Sequence, residues 1–376
     1  MQGNRRRKLT IYDIATEIGS SPTTVSLVLN GAWARYRIKQ ETATRIIECA
    51  ERLGYAVNLK ARGLRLSRSG LAGMVVPHYR NRFFAGLAEA FEAEVGSRGL
   101  CPVVVSAQRD PTIEANVVET LLAQQVEFLF LTGVHDPDPL SDMCRSAHVR
   151  SINIDLPGTR APSVVSDNRG GAKALTDVVV RKLAARGGNL NDIFFFGGLA
   201  DDDATMKRVL GFSDALASHG VACVPEMIDC CGYPPATAAR SLAERYAQLG
   251  RLPAGLFVNG ITALEGAVQF TSSLPRGDLD SVVVGSFDWD PFGAHLSFDV
   301  TMVRQNVEAM IAEAFVLLDG YKPNLNPLVV VPTSFGRLGE GDGAGKDWRQ
   351  NPVIHEGNPL ELLEPEADHL KALLAK

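Results

Sequence analysis

Thr23, Thr24 and Ser26 face outward from Thr10 to Asn30, a stretch that reads as two short helices around one tight turn. Side chains this short and polar suit contacts to a DNA groove and to phosphates. Thr10 can cap the first helix, with Asp13 three residues on completing a near capping box. Ile11, Ile14, Ala15 and Ile18 fall on one face at helical spacing, and Gly19 sits where a helix C-terminal glycine belongs. Ser21 then caps a second helix with Pro22 at its first position, Val25, Val28 and Leu29 form its buried stripe, and Asn30-Gly31 end it. Two helices joined so closely make a helix-turn-helix, whose second helix can enter a major groove. An ordinary helical hairpin is the alternative on this stretch alone.

The charge distribution bears on that choice. The chain of 376 residues holds 38 Lys/Arg and 43 Asp/Glu, yet residues 1–70 hold 13 and 5, leaving 25 and 38 for the rest. A basic head on an acidic body fits nucleic-acid contact confined to the head. A solvated basic tail at Arg5 to Lys8 would account for part of it, but the other basic residues spread over Arg35 to Arg68. The six cysteines include no CxxC, which reads as reduced cytosolic usage without a disulfide framework or a metal site. No signal-peptide pattern follows the basic start, and no apolar run is long enough to span a bilayer.

A third helix is expected over Gln40–Leu53, with Ala43, Ile46, Ile47 and Ala50 as its inner stripe. From Leu71 short apolar runs alternate with helical stretches. Strands are expected at 71–77, 102–106, 128–133 and 150–155, with helices at 84–96 and 113–124. After Asp167 the pattern restarts, with strands at 193–198, 226–230, 256–259 and 281–287 between helices at 170–186, 204–218, 235–248 and 262–271. Apolar strands alternating with helices imply parallel sheets covered on both faces, and two such series imply two doubly wound lobes with a site between them. The first turn of this region reads VVPHYRNRF, without the glycines of a dinucleotide site, and no P-loop, GxSxG or HExxH occurs, so neither an enzyme nor a cofactor is indicated. A transport binding protein would explain the lobes but not the head.

This order resembles the LacI family of bacterial transcription regulators over residues 9 to about 336. The resemblance rests on LTIYDIATEIGSSPTTVSLVLNG, NLKARGLR at 58–65, RVLGF at 208–212, GSFDWD at 285–290 and TMVRQN at 301–306. The YRI insertion at Tyr36 to Ile38 looks nearest to the fructose and sucrose repressor branch. The resemblance implies a small all-α helix-turn-helix domain followed by a two-lobed α/β core like a periplasmic sugar-binding protein. The corresponding boundaries are 1–57 for the DNA-binding domain, 58–70 for a hinge helix and linker, 71–336 for the core and 337–376 for a C-terminal extension. Lobe crossings are expected near 167, 300 and 326.

Pro22, Thr23 and Leu27 match the positions that set operator sequence in the family, within a DNA-contacting set that also takes in Thr10, Thr24, Ser26 and Asn30. Leu27 suits a thymine methyl or, equally, the domain's own core. Arg35, Arg37 and Lys39 should contact phosphate, adding affinity without reading sequence. Leu64, with Lys60, Ala61 and Arg62 nearby, takes the place of the hinge leucine that wedges a minor-groove step in the family; a plain linker is the alternative. Gly63 weakens that helix by about 1 kcal/mol, in keeping with folding only on DNA.

In the body the resemblance implies effector contacts from Phe83, Phe84, Asp155, Asp202, Arg208, Tyr233, Asn259, Asp288 and Trp289. The guanidinium of Arg208 suits adjacent hydroxyls or an anion, and the carboxylate of Asp288 can accept from two hydroxyls. Phe83, Phe84 and Trp289 have core packing as their alternative. Asn259 precedes Gly260 where many relatives have aspartate, which weakens that contact. Asp201, Asp202 and Asp203 disfavour a phosphorylated ligand and favour a neutral sugar or polyol, unless they cap the next helix. The partners implied are near-palindromic operator DNA, a small effector, and a second copy in a homodimer or, through the leucines of the tail, a tetramer. A docked or frayed tail is the expectation for residues 337–376.

Overall fold

The computed structural model describes residues 9–55, 69–275, 277–323, 325–336, 353–355 and 367–374. The expectations for Lys60, Ala61, Arg62 and Leu64 lie outside the described residues. The chain divides into two compact units, Met1–Ser69 and Gly70–Lys376.

The first unit holds helices Ile11–Ile18, Pro22–Leu29 and Gln40–Leu53. The Asp13 carboxylate accepts from Thr10 N at 2.8 Å and Thr10 Oγ1 at 2.7 Å, so the first turn is satisfied from its own sequence. Gly19 ends the first helix at φ 69°, where a side chain would be strained. Ser21 Oγ then accepts from Thr24 N at 3.0 Å and starts the second. Ile14, Ala15, Val25, Val28, Ala43, Ile46, Cys49 and Ala50 close the core. Ile47 departs from expectation, being 39% exposed. It follows Ile46 by about 100° of helical turn, so the two cannot face inward together, and Cys49 completes the stripe instead.

The second unit builds two sheets. In the first lobe, β1 (Leu71–Val76), β2 (Cys101–Ser106), β3 (Phe128–Thr132), β4 (Arg150–Ile154) and β5 (Ser163–Ser166) run parallel. The second lobe uses β6 (Ile193–Phe196), β7 (Ile228–Asp229), β8 (Gly255–Val258), β9 (Val283–Phe287) and β10 (Val300–Arg304), also parallel. β11 (Leu328–Val331) returns to the first lobe beside β5, β12 (Ser334–Phe335) to the second beside β10, and β13 (Val353–His355) adds an antiparallel strand to β11. The orders are β13-β11-β5-β4-β3-β1-β2 and β12-β10-β9-β8-β6-β7. Separate apolar clusters, centred on residues such as Phe91 and Leu129 in one lobe and Phe212 and Phe196 in the other, cover both faces of each sheet.

The chain crosses between lobes at Asp167, at Gln305-Asn306 and at Pro332-Thr333. The second and third crossings fall later than the expected 300 and 326. Val300–Arg304 pairs with β9 and still belongs to the second lobe, and the apolar run Leu328–Val331 pairs with β5 before the chain leaves the first. Helix Pro137–Ser146, between β3 and β4, is not among the expected elements and carries Pro137 and Pro139 near its start. Both fall in the first turn, where no intrahelical N–H is lost, and Asp136 caps it. The tail is docked where it is described: Leu370 and Leu373 of helix Ala367–Leu374 join the second lobe's core.

Candidate functional site: a helix-turn-helix surface and an interlobe cleft

On the first unit, Thr23 is exposed, while Thr24 and Ser26 are half-buried on the second helix. Leu27 is also half-buried, so neither alternative for it is singled out by burial. Two of the candidate DNA contacts also hold the helices together: Thr10 forms the cap, and Asn30 Nδ2 donates to Ser26 O at the helix end. Pro22 begins the second helix. Arg35, Arg37 and Lys39 are all exposed between the second and third helices, with Arg37 in the left-handed region at φ 55°. Tyr12 and Tyr36 are 65% and 58% exposed on the same unit, and neither was read from the sequence as a DNA contact.

In the second unit the candidate residues follow the C-terminal ends of strands, where a doubly wound sheet leaves its crevice. Asp155 follows β4, Asn259 follows β8 and Asp288 follows β9. Asp155 and Asp288 have φ of 75° and 64°, conformations that aspartate tolerates better than most residues.

The nine effector candidates do not share one cavity. Phe84 and Tyr233 line an interlobe cleft of about 790 Å³, with His78, Arg80, Gln108 and Arg109 from the first lobe and Leu199, Thr262 and Glu265 from the second. Phe83, Asp288 and Trp289 line a second interlobe cavity of about 390 Å³, together with Arg304 and Gln305. Asp155, Asp202, Arg208 and Asn259 are buried and line neither. Phe83 and Phe84 also belong to the first lobe's core, and Trp289 packs on the second lobe's core with Arg304 5.5 Å from its ring, so for these three the packing alternative holds alongside the cavity.

Arg208 anchors the buried group. Its Nε donates to Asn168 Oδ1 at 2.8 Å, its Nη1 donates to Asn259 O, and the guanidinium lies 4.0 Å from the Phe287 ring centroid. Asp288 Oδ1 accepts from Gln305 Nε2 at 2.6 Å and its Oδ2 from Ile261 N at 3.3 Å. Asp202 caps helix Asp203–Ser218 by accepting from Ala204 N at 3.0 Å, and Tyr233 OH donates to it. The capping alternative therefore describes Asp202, whereas Asp203 pairs with Lys207 at 3.0 Å and Asp201 meets His135 of the other lobe at 3.7 Å.

Arg109 was missed in the sequence. It follows β2, lies 4.3 Å from the Tyr233 ring centroid and 4.0 Å from Asp202, and so joins the first lobe to the second across the cleft. Asn168 and Gln305 were also missed, although Gln305 stands inside the TMVRQN motif. Only the partners they meet in space distinguish them from surface amides.

Burial, with Asp202 and then Asp288 adding repulsion, raises the Asp155 carboxyl to about 7 against the opposing pull of Arg109 and Arg208. Burial likewise raises Asp202 and Glu114. A carboxyl raised from 3.8 to about 7 on folding contributes stability that is full below about pH 4 and is lost as pH rises through about 7. Urea-unfolding midpoints should therefore fall between pH 5 and pH 7.5 in the wild type. Asp155→Asn should flatten that slope; an unchanged slope in the variant would assign the proton elsewhere.

A three-helix head with a helix-turn-helix, followed by two α/β lobes with cavities between them and a buried group of carboxylates around Arg208, is the architecture of a DNA-binding regulator of the effector-responsive class. Residues 10–58 match the model of the bacterial regulatory proteins of the lacI family. The chain is 40% identical over 217 residues to the ribitol operon repressor of Klebsiella aerogenes, covering 58% of this chain and 80% of that one. It is 28% identical over 324 residues to the sucrose operon repressor of Klebsiella pneumoniae, covering 85% and 95%. Its fold matches the lac repressor dimer bound to operator and the anti-inducer ONPF with a TM-score of 0.71 at 20% identity, covering 88% of this chain and 98% of that one. The chain belongs to the LacI family and is a DNA-binding transcription regulator. No helix among the described residues is long and apolar enough to cross a membrane.

Proposed function

We propose that the chain is an operon repressor that binds a near-palindromic operator as a two-fold dimer in the cytoplasm, and that a sugar or polyol held between its lobes sets its operator affinity. The observation that carries this is the joining, in one chain, of an exposed helix-turn-helix face to an interlobe group of Arg208, Asp155 and Asp288, whose chemistry suits adjacent hydroxyls. The ribitol and sucrose operon repressors among its relatives favour the same ligand chemistry. A single head makes few base contacts, and paired heads read symmetric half-sites. A dimer is favoured over a tetramer because Leu370 and Leu373 are spent on the chain's own second lobe.

Each lobe supplies part of the cleft, so a ligand can favour one lobe arrangement and change how the two hinge segments of a dimer meet over DNA. Such coupling is reciprocal, typically about 1–3 kcal/mol. The test is selection of an operator from random DNA, followed by anisotropy titrations with and without a polyol panel. Leu64→Ala should weaken the operator complex about 10-fold or more and reduce DNA bending, while leaving polyol affinity in the absence of DNA unchanged. Failure to select any symmetric site, or operator affinity indifferent to every ligand bound, would overturn the reading.

A further inference from the structure

The last described segments of the chain attach to both lobes. β13 hydrogen-bonds antiparallel to β11 at the edge of the first sheet, with Val353 opposite Val330, Ile354 opposite Val329 and His355 opposite Leu328. Helix Ala367–Leu374 lies on the other lobe, packed against helix Asp203–Ser218, the turn Pro225–Met227 and β7. Leu370 and Leu373, at 5% and 4% exposed, enter the apolar cluster of Phe212 and Leu216, and His369 Nε2 lies 3.3 Å from Ser213 Oγ. A helix this short is marginal alone and is held by what it packs on.

Neither anchor falls on a neutral part of its lobe. β11 runs straight into the crossing at Pro332-Thr333, so β13 grips the strand that feeds a passage between lobes. Helix Asp203–Ser218 is capped by Asp202 and carries Arg208 into the buried interlobe group, so the tail helix rests on the element that presents both residues. A shift of one lobe against the other therefore moves one anchor relative to the other. The eleven residues 356–366 join the two. A chain fixed at both ends loses conformational freedom as its ends separate, so it favours arrangements that keep them close, without being taut.

We infer that residues 353–374 form an interlobe strap, a fourth link beside the three crossings, which biases the lobes toward the arrangement in which both anchors are seated. Resting on the effector reading above, the strap also sets how strongly an effector changes operator affinity, because a ligand that favours another arrangement works against it.

The experiment compares three full-length proteins. One is the wild type. The second carries about 30 Gly/Ser residues inserted between residues 360 and 361, which keeps both anchors and lowers the effective concentration of one at the other about 7-fold. The third combines Leu370→Asp with Leu373→Asp, which unseats the helix. Spin labels at Glu119 and Gln248, exposed positions on helices Pro111–Ala123 and Pro235–Leu249 of the two lobes, report the interlobe distance by pulsed dipolar spectroscopy, with unlabelled chain in excess. The distance distribution should broaden in both altered proteins, while the thermal midpoint of the lengthened one stays at the wild-type value. The factor by which ribitol, D-arabinitol or D-glucitol changes operator affinity should shift at least about 3-fold in both. An unchanged distribution in the lengthened protein overturns the strap, even where the double substitution broadens it, because that pattern reduces the helix to local packing. A broadened distribution with an unchanged response to a polyol that binds overturns the strap's part in regulation. If no polyol binds, the effector reading fails, and the distances still decide whether the strap exists.

Discussion

A fragment beginning at Gly70 should bind effector as the full chain does and lose its operator by at least about 10³-fold, the usual margin between specific and non-specific binding. The fragment keeps both sheets and the apolar clusters on their faces, all of which lie within Gly70–Lys376. It loses the exposed face of the second helix and the three cations at Arg35, Arg37 and Lys39. What remains is strongly acidic, with 25 Lys/Arg against 38 Asp/Glu beyond residue 70, and repels a polyanion. Anisotropy with a labelled operator, beside a thermal-shift titration with polyol, measures both halves. Retained operator affinity in the fragment would remove DNA recognition from the head.

Asp288→Asn should lower effector affinity about 10- to 100-fold, the loss expected when a charge-assisted hydrogen bond is weakened. Asparagine is the informative replacement. It keeps the side chain's size and tolerates φ 64°, whereas alanine would add backbone strain to the loss of the carboxylate. It can still accept from Gln305, but its amide group opposes Ile261 N, where the carboxylate now accepts. Removing this charge also removes one source of repulsion on Asp155, whose carboxyl should ionise at lower pH. Operator affinity without effector should stay within about 3-fold of wild type, because no residue of the head is altered. Calorimetry and operator titration on the same sample decide it. Wild-type effector affinity would place the ligand away from Asp288.

The parts of the fold legible in the sequence are those set by local rules. The Thr10 cap, Gly19 at its left-handed position and the Ser21 cap are one-dimensional signals, and the helix-turn-helix follows from them. Strands buried on both faces, such as Phe128–Thr132, announce themselves as unbroken apolar runs. Helix Pro137–Ser146 and the later lobe crossings were not legible. The first hides behind prolines harmless in an opening turn, and the second depends on which lobe a strand pairs with. The site divides in the same way. Arg208, Asp155 and Asp288 sit close enough to influence one another, but that Asp288 lines a cavity while Asp155 and Arg208 lie in the buried interior is a matter of lobe arrangement. Arg109 acquires its place only when Tyr233 and Asp202 are brought opposite it, and Asn168 and Gln305 only when Arg208 and Asp288 fix their amides.

The three passages between the lobes determine how this protein can be recombined with its relatives. Each lobe is assembled from separate stretches of chain, so neither can be exchanged as one continuous piece. Grafting one lobe onto a foreign partner requires junctions at all three crossings, each flanked by strands whose register must match a new neighbour. The head is different, since a single junction near Ser69-Gly70 separates it from everything else. Chimeras that swap heads should thus assemble readily and redirect a given effector to a new promoter. Altering effector choice instead calls for point substitutions within the cleft or for replacement of both lobes together.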